Sequence, residues 1–116
     1  MAAVHTVAAT SASITANEHL TISVARELRD DGLCFAGIGL PMLAANLARR
    51  TFTPNLVLVY ESGAIGADPA HPLLSTGGGE LAATTDRVVS VTEMFSYWLR
   101  AGCVGIGFPG AAQIDR

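Results

Sequence analysis

The sequence predicts an α/β domain, an open and mostly parallel sheet with helices on its faces. Three observations predict it. Short apolar runs alternate with stretches of helical period, and three of those runs open into glycine turns at Gly37, Gly63 and Gly110. The run Leu56, Val57, Leu58, Val59, Tyr60 is apolar without alternation, as in a parallel strand covered on both faces. Half of the residues are hydrophobic and 15% are charged, which suits a packed domain better than a disordered or coiled-coil chain. A chain of 116 residues makes one domain at most, with room for one core but short for a complete doubly wound enzyme.

Residues 1–14, rich in Ala, Thr, Ser and Val, show no cap and no period and read as a flexible leader; the domain is expected over residues 15–116. Thr15 and Glu18 stand at capping-box spacing, so a helix is expected from there to about Asp30. Its inner face would carry Leu20, Val24, Ala25 and Leu28, and Gly32 would stop it. Residues 33–36 form a first strand, which turns through Gly37 and Gly39 into a helix from Pro41 to about Arg50. Met42, Leu43, Ala45 and Leu47 are its expected core residues, and Thr53-Pro54 separates it from the strand at 56–60. That makes a right-handed β-α-β crossover.

Residues 70–85, rich in Gly and Pro and without a sustained period, read as an active-site loop. A short strand at 87–90 leads to a second capping-box pair, Ser90 and Glu93, and a helix to about Ala101 with Phe95, Trp98 and Leu99 as its apolar stripe. Gly102 ends that helix, and residues 103–108 form the last strand.

A net charge of −3 with no basic cluster longer than Arg49-Arg50 lacks the cationic footprint of a nucleic-acid binder. No apolar run approaches the roughly 18 residues that a bilayer crossing needs, and the N-terminus lacks a basic signal-peptide start, so the expected location is the cytoplasm. Cys34 and Cys103 have no metal or redox spacing and read as small buried hydrophobes within strands. His5, His19 and His71 have no partners at metal-ligand spacing, so no metal site is expected.

The position that does not read as packing is Glu61. Ligands in open α/β sheets bind beyond the carboxyl ends of strands, and Glu61 stands at such an end, with Gly63 and Gly66 permitting close backbone approach. Local pattern alone leaves it either a site carboxylate or an ordinary strand-end charge. Gly37-x-Gly39 is a structural turn more readily than a phosphate loop, because Met42 stands where a dinucleotide fingerprint needs its third glycine. Ser62 lacks the glycine-flanked elbow of a hydrolase.

Three motifs in order, Gly37-Ile38-Gly39-Leu40-Pro41, Glu61-x-Gly63-x-x-Gly66-x-x-Pro69 and Gly110-Ala111-Ala112-Gln113-Ile114-Asp115, resemble the β subunit of family I CoA-transferases of the glutaconate and 3-oxoacid types. The resemblance covers residues 16–116. It implies that the sheet is of the CoA-transferase type, that Glu61 is the covalent nucleophile, and that Gly37, Gly39, Gly63, Gly66, Gly110 and Ala111 bind coenzyme A or an oxyanion, Gly110 as a backbone donor. It implies coenzyme A as a substrate with no permanently bound cofactor, an acyl-CoA and a carboxylic acid as exchange partners, and a homologous α subunit. Family β subunits are about twice this length, so the resemblance also makes this the N-terminal part of an incomplete fold. An acyl-CoA hydrolase on the same scaffold, or an inactive module pairing with an α subunit, are the rival expectations.

Overall fold

The computed structural model describes residues 13–115. The expected leader falls almost wholly outside them. The first helix, α1, runs Ala16–Arg26, and its capping box is complete: Thr15 Oγ1 accepts from the Glu18 N–H at 3.2 Å and Glu18 Oε2 accepts from the Thr15 N–H at 2.8 Å. The helix stops a turn before the expected Asp30. The Glu27 and Leu28 N–H groups bond to Val24 and Ala25, a tighter i to i−3 spacing that closes it, so Gly32 leads into a strand and does not serve as a helix stop. Its inward residues are Thr21 and Ala25, with Leu28 following, whereas Leu20 is 50% exposed.

Five strands form one sheet in the order β4-β3-β2-β1-β5, with β1 at Leu33–Ala36, β2 at Val57–Val59, β3 at Ala64–Ile65, β4 at Arg87–Val88 and β5 at Ile106–Phe108. β2, β1 and β5 are mutually parallel, with Cys34 opposite both Leu58 and Ile106. β3 runs against β2, and β4 against β3, so β4 points the same way as the parallel three. The expected open, mostly parallel sheet is present, with an antiparallel hairpin that the sequence pattern did not suggest.

Helix α2, Leu40–Thr51, crosses from β1 to β2 and buries Met42, Ala44, Ala45, Asn46 and Ala48; Leu43, expected inside, is 42% exposed. The period-two alternation of the strands sorts side chains between two cores. On the α1–α2 face, Cys34, Ala36, Leu56, Leu58 and Tyr60 pack with Met42, Ala45 and Ala48. On the other face, Val59, Ile65 and Met94 pack with Phe35, Val57 and Trp98.

The glycine-rich stretch expected to be all loop contains a short helix, α3 (Gly79–Thr84), anchored by buried Leu81. Helix α4 starts at Val91–Glu93, where Ser90 Oγ accepts from the Glu93 N–H, and continues over Met94–Leu99 in π-helical form. Glu93 does not complete the expected box; its Oε1 instead accepts from Trp98 Nε1, five residues on, at 3.3 Å. The wider winding moves the apolar stripe, so Met94 is buried while Phe95 is 45% exposed, edge-on to Phe35 at 5.9 Å between ring centroids. Gly102 ends the helix with φ +75 as expected, and β5 begins only at Ile106, which leaves Cys103 outside a strand and exposed, contrary to expectation.

Candidate active site

Glu61 owes its position to a hairpin. The Gly63 N–H donates to the Tyr60 carbonyl at 3.0 Å and the Tyr60 N–H donates to the Ala64 carbonyl at 2.9 Å, which defines a three-residue loop, Glu61-Ser62-Gly63, between β2 and β3. Loops of that length place a residue with positive φ third, and Gly63 has φ +92. A Cβ there would run into the Val89 carbonyl, and the Val89 N–H donates to the Gly63 carbonyl at 2.9 Å. The glycine of this Glu-x-Gly motif therefore serves the hairpin and its contact with the chain after β4. Glu61 is carried to the sheet edge as an exposed carboxylate.

Because β1, β2 and β5 are parallel, Gly37, Glu61 and Gly110 leave the sheet at one edge. Gly37 and Gly110 are neighbours there: a Cβ on Gly37 would stand 3.2 Å from the Gly110 nitrogen. Glu61 is two strands away from β5, about 10 Å across the sheet. Gly66 is not at this edge. Its N–H donates to Leu58, in the middle of β2, and with φ +76 it packs on the Asp86 carboxylate, because β3 has turned the chain back along β2.

The expected donor role is narrowed by hydrogen-bond accounting. The N–H groups of Gly37, Gly63 and Gly66 are each given to a main-chain carbonyl, of Phe108, Tyr60 and Leu58 respectively. A donor so engaged has nothing left for an oxyanion, and these three are structural turns. Gly39, Gly110 and Ala111 carry no such bond among the described residues. Gly39 caps the start of α2 with φ +83. Gly110 and Ala111 line an apolar cavity of about 380 Å³ together with Leu20, Pro41 and Phe108.

One contact could not be anticipated from the sequence. Thr76 Oγ1 donates to Glu61 Oε1 at 3.4 Å, and Thr76 and Ser62 line a second cavity of about 180 Å³ beside the hairpin. The segment that brings Thr76 there is tied to α2: Arg49 Nη1 donates to the Ala67 carbonyl at 3.0 Å and to Asp68, Arg50 Nη2 to the Ala70 carbonyl at 3.1 Å, and the Leu73 N–H to Met42 Sδ at 3.3 Å. His71 pairs with Glu80 at 3.9 Å, away from Glu61's contacts. Beneath the edge, burial pushes the Cys34 thiol up to about 11 and the Tyr60 phenol up to about 12. Among the described residues no cluster of three or more His, Cys, Asp or Glu could hold a metal ion, and no helix is long and apolar enough to cross a membrane.

Known proteins share this arrangement. The β subunit of 3-oxoadipate CoA-transferase from Pseudomonas knackmussii is 56% identical over 100 residues, which cover 86% of this chain and 38% of that protein. The β subunit of acetate CoA-transferase from Escherichia coli is 31% identical over 105 residues, 87% of this chain and 48% of that one. Among solved structures, glutaconate coenzyme A-transferase from Acidaminococcus fermentans superposes with a TM-score of 0.74 at 25% identity, over 89% of this chain and 41% of that one. The decarboxylase AibA/AibB superposes with a TM-score of 0.75 at 27% identity, over 89% and 43%. The chain thus spans less than half the length of the curated relatives it matches. The coenzyme A transferase family model matches residues 17–116, nearly everything the structure describes, and the chain belongs to that family.

Proposed function

We propose that the chain is the nucleophile-bearing part of a CoA-transferase β subunit, and that Glu61 carries coenzyme A between an acyl-CoA and a carboxylic acid. The observation that carries this reading is the placement of Glu61: a carboxylate at the tip of a rigid hairpin, on the edge where three parallel strands end. The scaffold alone does not select the reaction, since a decarboxylase shares it.

The ionised Glu61 carboxylate attacks the thioester carbonyl, forming a mixed anhydride and expelling the CoA thiolate. The thiolate then attacks the glutamyl carbonyl, releasing the donor's carboxylate and leaving a glutamyl-CoA thioester. An acceptor carboxylate opens that thioester by the same two steps in reverse, so the thioester's energy is retained. Oxyanions formed on the acyl carbonyl are stabilised by unengaged N–H groups at Gly110 or Ala111. The separation of about 10 Å between β2 and β5 suits this, since a glutamate side chain, an attack distance and one hydrogen bond together span about that length. The apolar cavity beside Gly110 accepts the carbon chain of the acyl group or of the CoA arm.

An anhydride and a thioester must be kept from water, whereas Glu61 is exposed in this chain. A homologous α subunit closing over the edge supplies the cover, in keeping with the subunit names of the relatives. The acceptor is a dicarboxylic 3-oxo acid such as 3-oxoadipate, because identity to the 3-oxoadipate enzyme is 56% against 31% to the acetate enzyme.

Incubating the assembled protein with succinyl-CoA, reducing with borohydride and mapping peptides tests this. The peptide containing Glu61 should show the acid converted to an alcohol, and Glu61→Gln should abolish both that mass change and transfer. Undiminished transfer in Glu61→Gln refutes the reading.

A further inference from the structure

We propose that Thr76 is the positioning residue of the nucleophile: its hydroxyl holds one oxygen of Glu61 and leaves the other free to attack. The inference rests on the reading of Glu61 given above. Glu61 is exposed and has three rotatable side-chain bonds, so nothing in its own hairpin chooses where its carboxylate points. The single side-chain hydrogen bond it makes among the described residues comes from Thr76, at 3.4 Å, long for an O–H···O contact but ordinary for a catalytic one before substrate binds.

The donor is the fixed member of the pair. Thr76 is only 8% exposed, and the turn after it is held by the Gly77 N–H donating to Ser75 Oγ at 3.2 Å. Upstream, Leu73 is bonded to Met42 in α2; downstream, Leu81 of α3 is buried in the same core as Tyr60. The glycine-rich segment is therefore pinned at both ends, with its buried hydroxyl facing the nucleophile. With Oε1 engaged, Oε2 is the attacking atom, and the side chain enters the reaction already confined to one orientation.

Hydroxyl and packing roles predict opposite orders of activity. Thr76→Val keeps the shape and loses the donor; Thr76→Ser keeps the donor and loses a methyl. In the complete, partnered enzyme with succinyl-CoA and 3-oxoadipate as probes, Thr76→Val should lower kcat about 10- to 100-fold with KM nearly unchanged. Thr76→Ser should stay within about threefold of the parent. Thr76→Ala against Thr76→Ser repeats the contrast at equal loss of the methyl, should Thr76→Val fold poorly. Activity of Val equal to or above that of Ser, or of Ala equal to Ser, overturns the proposal. Glu61→Gln separates the two levels. If it is inactive while Thr76→Val is parent-like, only the role of Thr76 falls; if it is active, the reading of Glu61 falls and this proposal with it.

Discussion

Replacing Gly63 with alanine tests whether the Glu-x-Gly motif is a structural device. Gly63 has φ +92, a conformation that costs an L-residue about 1–2 kcal/mol. Its new Cβ would overlap the Val89 carbonyl, which is backbone and cannot swing aside as a side-chain tip could. Relief requires the hairpin and the chain after β4 to part, giving up the Val89-to-Gly63 hydrogen bond for about 1 kcal/mol more. The expected loss is about 2–3 kcal/mol, a large part of the 5–15 kcal/mol typical of a domain. Gly39→Ala is the internal control, because Gly39 has a similar φ of +83 but nothing within 4 Å of its Cβ position. There the strain is partly offset by the smaller entropy of the unfolded alanine chain, leaving a net cost of about 1 kcal/mol or less. Urea unfolding of the purified protein at neutral pH measures both, and Gly63→Ala should lower the midpoint by roughly 1 M relative to the parent. The same variant should lose transfer activity, since Glu61 moves with the hairpin. If the two variants differ by less than about 0.5 kcal/mol, the close packing against Val89 is not what requires the glycine.

Alkaline pH should weaken the fold through Cys34 and Tyr60. Both are acids whose folded pKa lies above the unfolded one, so the folded state holds its proton longer and stability is intact below pH 9. It should fall by about 1.4 kcal/mol per pH unit for Cys34 between 9 and about 11, with Tyr60 adding between 10 and about 12. Urea midpoints across pH 8–11 measure this, and Cys34→Ala should flatten the first part; an unchanged slope would count against it. A thiol reagent should label exposed Cys103 in the native protein and buried Cys34 only after unfolding, as peptide mass mapping would show. Thr15→Ala should cost about 1 kcal/mol by opening both halves of the α1 cap, read as a lowered thermal midpoint; no change would mean that the helix start contributes nothing to stability.

What the sequence determined by itself is the set of features that depend on near neighbours. The capping box at Thr15 and Glu18, the stop at Gly102 and the β1-α2-β2 crossover follow from propensities and bonds spanning a few residues, and they stand where the sequence puts them. The unbroken apolar run at 56–60 signalled a strand with a core on each side, because Leu58 and Val59 both had to be buried. Glu61 stood out as a charge beyond that strand, though its assignment as a nucleophile came from likeness to a family. Tertiary structure decided everything that joins distant segments. The hairpin turned Gly66 away from the edge because Ala64 and Ile65 found partners in Arg87 and Val88, and Gly63 was required by the Val89 carbonyl. Thr76 meets Glu61 across fifteen residues of a stretch whose composition suggested only a loop. Such contacts are set by where packed elements leave the chain, and no local period or spacing encodes that.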